Sequence, residues 1–413
     1  MRSFRAVPVM AAASLLLTAL CAGQAPAAVS SGRAGVDPAT AERLDDAITA
    51  AMKKEGIPGV GVGLWFDGGG SYERSFGTAD KAAGTPMKAD LYTRIGSVTK
   101  TFTVTAVLQL VDQGKLRLDD PVSKYLGGVP GGDRITIRQL AEMRSGLPNY
   151  TEDTAWLAEL RADPARSWSP QQLLATAFRH PATSPPGTRW EYCNTNTVLL
   201  GLLVEKLSGQ DLAAYLREHV LEPAGLDDTA LPKGAEIPSP YLHGYTTFSP
   251  GGNVVDSSGW NPSWAWAAGA MTSTLDDLHT WVPALTGGKL PDGGRLLEPG
   301  TQAQRVRTLP TGHPGVGYGL GIADVNGWIG HNGELPGYET IAARLPQQNA
   351  VLVVIVNSDI DKDTGSLSTL IGKTVTEIAT PDHRWELPAA AQPEATPPPA
   401  TPTAPPPPKP PKP

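Results

Sequence analysis

Six consecutive apolar residues, Val351-Leu352-Val353-Val354-Ile355-Val356, constrain this chain more than any other stretch. The run is too short to span a bilayer, and its unbroken apolar character fits a strand covered on both faces. Such a strand needs partners, and the remaining strand candidates lie at opposite ends of the chain. Residues 59–66 and 71–76, joined by the glycine-rich turn 67–70, come early; residues 327–329 and 338–345 come late. The two ends are therefore expected to build one antiparallel sheet. Helices are expected to flank it at 38–54, with Leu44, Ile48 and Met52 at helical spacing, and at 364–380, with Leu367, Ile371, Val375 and Ile378 near one face.

Between them, from about 116 to 268, the pattern changes to short helical signals at 136–143, 169–178, 195–207 and 211–220, punctuated by Gly/Pro turns. The expected fold class is thus mixed α/β, of the α+β kind: a central antiparallel sheet flanked by helices, with a mostly helical lobe (about 116–268) inserted into an α/β lobe (about 36–115 and 269–380). A cleft between two such lobes is where an active site is expected.

Arg2 and Arg5, an apolar stretch over 6–20 and Ala25-Pro26-Ala27 read as a secretory signal ending near residue 27. Its removal takes away two arginines and no acid, so the formal charge of −7 becomes −9. A chain so acidic has no generic attraction for nucleic acid or anionic lipid. It would also keep Cys193 as its one cysteine, which excludes an intramolecular disulfide and a cysteine-built metal site. Residues 388–413 are rich in Pro, Ala and Thr and read as a disordered tail. A serine hydrolase domain over 36–387, secreted and either free or wall-associated, is the expected product.

The chemistry is carried by three fragments. Ser97-Val98-Thr99-Lys100 precedes the apolar-rich helix candidate 102–111, so a hydroxyl and an amine fall one turn apart at a buried helix start. Alone, serine followed three residues later by lysine is equally a helix cap beside a solvated amine. Here Ile95 and the residues from Phe102 to Val107 place the lysine among apolar neighbours, where its ammonium form is disfavoured and it can relay a proton. Tyr192-Cys193-Asn194 supplies a phenol for proton handling, and an amide able to bridge Lys100 and a substrate. His331-Asn332-Gly333 follows a short strand segment, with Gly333 expected to leave room for a substrate backbone. The amides of Ser97 and Glu334 are candidate oxyanion donors. Of Trp260, Trp264 and Trp266, Trp264 is the expected wall of the cleft.

In this order and spacing the three fragments resemble the penicillin-recognising serine hydrolases, a group that includes secreted actinobacterial D-alanyl-D-alanine carboxypeptidases and class C β-lactamases. Further matching stretches are Arg94-Ile95-Gly96, Leu108 to Leu116, Arg144-Ser145-Gly146-Leu147 and Tyr318-Gly319-Leu320-Gly321. The resemblance implies an acyl-enzyme on Ser97, proton management by Lys100 and Tyr192, substrate positioning by Asn194 and Asn332, and no metal or organic cofactor. It implies a D-alanyl-D-alanine carboxypeptidase acting on peptidoglycan stem peptides, with β-lactams as acylating ligands. Esterase, D-amino-acid amidase or aminopeptidase, and β-lactamase are the alternatives on the same machinery, and a noncatalytic wall-binding module is the alternative of another class. One departure matters: Asn332 and Glu334 stand where the carboxypeptidases carry threonines, and Asp324 follows where a basic residue is usual. An inward Glu334 or Asp324 would repel a carboxylate substrate, while Lys100 and His331 would supply positive potential.

Overall fold

The computed structural model describes residues 36–361 and 365–387. The signal and tail read from the sequence lie outside the described residues.

Val351 to Val356 forms most of a central strand. The main sheet is built from β1 (Gly59–Phe66), β2 (Gly70–Asp80), β3 (Thr85–Pro86), β4 (Leu309–Pro310), β5 (Val316–Tyr318), β6 (Ala323–Val325), β7 (Trp328–Leu335), β8 (Tyr338–Leu345) and β9 (Ala350–Val356). Their order is β3-β2-β1-β9-β8-β7-β6-β5-β4, and neighbouring strands run antiparallel. The early and late strands meet at β1 and β9, where Val60 pairs with Val356 and Phe66 with Ala350. Every residue of β9 is buried, and burial of each Val, Leu or Ile there stabilises the fold by roughly 1.5–3 kcal/mol.

One face of the sheet is covered by α1 (Pro38–Glu55) and the terminal helix Leu367–Ala379. Asp37 caps α1, accepting from the Thr40 N–H at 2.9 Å. The other face receives the helix Leu275–Gly287 and α2 (Thr99–Asp112), whose residues are buried almost throughout. The segment between β3 and β4 carries the shorter helices, among them Ile137–Ala141, Thr154–Ala162 and Pro170–Ala177, packed around α3 (Asn194–Ser208). No helix of the described residues is long and apolar enough to cross a membrane.

Candidate active site

The site is assembled where the turn before α2 meets the edge of β7. Strand β6 pairs with β7 only from Trp328 to Gly330, so beyond that point one edge of β7 is left open. Leu335 and Tyr338 close a two-residue turn of Pro336 and Gly337, and such a closing pair exchanges hydrogen bonds. Alternation then directs the Glu334 N–H away from β8, toward the open edge. Gly96, at φ +49°, brings Ser97 up to this edge. A Cβ on Gly96 would sit 2.4 Å from the Glu334 nitrogen, and one on Gly333 would sit 2.0 Å from the Ile95 oxygen and 2.9 Å from the Ser97 nitrogen. Two side-chain-free positions thus let two backbone segments interlock, and the Ser97 and Glu334 amides border one space. The room beside Gly333 is occupied by the Ile95–Ser97 turn, not reserved for a substrate backbone as expected. His331-Asn332-Gly333 likewise lies within β7 rather than after it.

Lys100 is fully buried, with Nζ 2.8 Å from Ser97 Oγ and donating to the Ala268 carbonyl at 2.7 Å. Threonines fix that carbonyl. Thr103 Oγ1 donates to the Ala267 carbonyl at 2.7 Å, and Thr99 Oγ1 accepts from the Met271 N–H at 3.1 Å, so α2 grips both sides of Ala268. Burial holds the lysine well below its ordinary pKa, with Cys193 opposing.

Tyr192 reaches the same point from the helical side. Its loop is tied to residues 143–150: the Glu191 N–H donates to the Met143 carbonyl, Thr195 Oγ1 to the Pro148 carbonyl at 2.7 Å, and Ser145 Oγ to Asn196 Oδ1 at 2.6 Å. Lys100 Nζ lies 4.9 Å from the centre of the Tyr192 ring. Burial raises the phenol above its ordinary pKa, while a hydrogen bond with Ser97 lowers it. Cys193 is buried, its thiol directed to the Leu147 carbonyl at 3.3 Å and pushed up to about 11 by burial.

His331 is not the source of positive potential expected of it. Burial, the largest cause, holds the imidazole well below its ordinary range, against the opposing Asn332 carbonyl. Nδ1–H donates to that carbonyl and Nε2 accepts from the Tyr318 hydroxyl at 3.0 Å, a pairing that fixes one neutral tautomer.

Two further expectations are corrected. The Asn194 side chain donates to Thr151 Oγ1 at 3.1 Å instead of bridging Lys100, because residues 148–151 wrap the first turn of α3. Trp264 does not line the Ser97 cleft. The short turn Pro262–Trp264, capped by Asn261, directs its ring edge-on to Trp156 at 5.9 Å, and its carbonyl accepts from the Tyr150 hydroxyl at 2.8 Å.

The cleft itself, about 290 Å³, is bounded by Ser97, Tyr192, His331, Asn332, Gly333 and Glu334, and also by Trp190, Tyr318, Val316, Ala323, His313 and Leu387. Among the described residues no lysine or arginine lines it. A larger hollow of about 510 Å³ between Asp211 and Lys233 contains none of these groups. Asp324 accepts from the Gly327 N–H at 2.8 Å in the turn leading to β7 and does not line the cleft. Glu334 does line it, at the mouth. Desolvation, then Glu339, Asp359 and Asp361, push its carboxyl up to about 8. Among the described residues no group of three or more His, Cys, Asp or Glu side chains is arranged to hold a metal ion.

Trp190 and Tyr318 were not singled out as cleft residues from the sequence. The available signal was Trp190, two residues before Tyr192 in an extended segment and so on the same side.

Residues 44–376 match the model of the Beta-lactamase family. Among solved structures, the chain is similar to a D-stereospecific amidohydrolase from Streptomyces sp., at 32% identity and a TM-score of 0.72 over 82% of this chain and 98% of that one. It is also similar to the D-amino acid amidase from Ochrobactrum anthropi SV3 complexed with D-phenylalanine, at 28% identity and a TM-score of 0.70 over 81% and 98%. Esterase EstB of Burkholderia gladioli is 29% identical over 68% of this chain and 78% of the esterase. The chain spans 65% and 51% of the lengths of two other curated relatives, from Bacillus subtilis and Yersinia enterocolitica. A serine coupled to a buried lysine, set against an open strand edge on this sheet, agrees with that match, and the chain belongs to the Beta-lactamase family.

Proposed function

We propose that this protein is an acyl-serine amidohydrolase whose acyl donors carry an amino group and lack a carboxylate beside the scissile bond. The neutral Lys100 amine keeps one N–H on Ala268 and turns its lone pair to Ser97, whose proton it takes as Oγ attacks the substrate carbonyl. The Ser97 and Glu334 amides receive the oxyanion. The C–N bond breaks as the proton passes through the Lys100–Tyr192 pair to the leaving nitrogen. Water then gives up a proton to the same pair, adds to the acyl-enzyme, and Ser97 departs reprotonated.

The observation that carries the substrate choice is Glu334, an acid at the cleft whose described lining holds no lysine or arginine. A D-alanyl-D-alanine carboxypeptidase calls for a cation there, whereas an ammonium on the acyl group is complementary to Glu334. Similarity to the D-stereospecific amidohydrolase and the D-amino acid amidase supports this reading and points to D-configured acyl groups. The leader-like residues 1–27 support action outside the cytoplasm.

The test follows product release from D-phenylalanine amide and from an N-acylated D-alanyl-D-alanine dipeptide, with Ser97→Ala as control. Faster turnover of the amide is expected. Preference for the dipeptide would return the assignment to a carboxypeptidase.

A further inference from the structure

The cleft has a direction, set by where the proton must go. In any acyl transfer to Ser97, the departing atom receives its proton from the Lys100–Tyr192 pair, and so it must lie on the Tyr192 side of the oxyanion amides. That side is lined by rings. The Tyr192 ring centre lies 6.4 Å from Trp190, 6.5 Å from Tyr318 and 6.1 Å from His331. Trp190 in turn lies 5.9 Å from Tyr318 and meets His313 edge-on at 6.2 Å. Val316 and Leu387 complete the wall. The Tyr318 hydroxyl is engaged by His331, and its phenol is held in the protonated form by burial. His331 is itself uncharged. The acidic corner of Glu334 lies toward the other end of the same stretch of β7, beyond the oxyanion amides.

We propose that the hollow bounded by Trp190, Tyr318, Val316, His313 and Leu387 is a leaving-group subsite that takes an uncharged aromatic or large apolar amine or alcohol. This rests on the acyl-serine reading above and adds to it the departing half of the substrate. A ring there stacks on or packs edge-on to Trp190 and Tyr318 and leaves its nitrogen or oxygen at Tyr192. A leaving group bearing a carboxylate is desolvated against aromatic faces, with no lysine or arginine among the described lining residues to meet it. After departure the same hollow admits amines of the same kind, which compete with water for the acyl-enzyme.

The test holds one D-aminoacyl donor constant and varies the leaving group among ammonia, benzylamine and glycine. The benzylamide is expected to exceed the primary amide in kcat/KM by about 10- to 100-fold and the glycine amide to be the poorest. Trp190→Ala is expected to cut the preference for the benzylamide over the primary amide about tenfold. Val316→Lys, which installs a cation at the rim, is expected to improve the glycine amide relative to the benzylamide, a gain that misfolding cannot produce. Wild-type enzyme that is labelled on Ser97 by a small fluorophosphonate, followed by intact mass, yet indifferent to the leaving group would overturn the subsite, as would Trp190→Ala slowing all three amides equally. Failure of fluorophosphonate to label Ser97 would overturn the acyl-serine reading itself, and the subsite with it.

Discussion

Lys100 and Glu334 border the same reacting centre, and among the described residues neither forms an ion pair. Lys100, in the first turn of α2, is sealed in the interior beside an alcohol, a carbonyl and a phenol ring, so its charge is suppressed. Glu334 sits at the mouth, where desolvation first and then Glu339, Asp359 and Asp361 raise its carboxyl, and where no lysine or arginine of the described lining offsets them, so that a docked cation is what would draw out its charge. The contrast separates two uses of an unpaired charge. Burial without a counter-charge turns a lysine into a base for chemistry, while a raised carboxyl at the cleft mouth gives up its proton as a substrate cation docks.

The comparison breaks most severely at the buried end. Ser97→Ala and Lys100→Arg are both expected to lower kcat by on the order of 10³-fold or more, because the second restores a permanent cation where a neutral amine is needed. Steady-state turnover of a neutral ester checks this, and a Lys100→Arg enzyme with near-normal kcat would end the argument for a neutral amine. Gly96→Ala comes next. Its Cβ collides with the backbone at Glu334, not with a movable side chain, so kcat is expected to fall about 10²- to 10³-fold through loss of one oxyanion donor. Circular dichroism should report retained folding.

At the open end the effects are smaller. Glu334→Gln is expected to lower kcat/KM about tenfold for donors with a free amine and to leave their N-acetylated counterparts nearly unchanged. The same change should flatten the pH dependence of stability. A carboxyl raised from 4.5 to about 8 in the folded protein gives the native state more bound protons than the unfolded state across that window. Wild-type stability from this group is therefore complete below about pH 4.5 and is lost as pH rises through about 8. Melting temperatures measured from pH 4.5 to 8.5 should fall more steeply with rising pH for wild type than for Glu334→Gln. Trp264→Ala, remote from the cleft lining, is expected to cost about 2 kcal/mol of stability by denaturant unfolding with KM unchanged; a raised KM would restore Trp264 to the site.

The sheet was legible because its signals are local and repeated. The run ending at Val356 and the segment 338–345 emerged as strands with bounds shifted by no more than one residue, and residues 38–54 and 364–380 emerged as helices Pro38–Glu55 and Leu367–Ala379. The two- and three-residue strands β4, β5 and β6 carry too little periodicity to be read, and with them went the cleft wall at Val316 and Tyr318. The serine–lysine pair was legible because three residues of helix fix its geometry. Asn194, Trp264 and His331 were misjudged because their partners, Thr151, Trp156 and Tyr318, lie on other elements, and no spacing within a motif encodes a contact of that kind. The roles of Gly96 and Gly333 also depend on tertiary structure, since each makes space for the other's segment.

The pairing of β1 with β9 has a bearing on how the protein comes into being. Val60 meets Val356, and the Ser97 amide meets the amide of Glu334, so neither the centre of the sheet nor the oxyanion site exists until most of the chain has been synthesised. During synthesis α2 can form locally and the helical segment can collapse, but the early strands wait for partners from the far end, a slow closure of long loops. A nascent or C-terminally clipped chain lacking β7 to β9 therefore carries the serine and its lysine without the Glu334 amide that completes the oxyanion site, and activity arrives with the last strands.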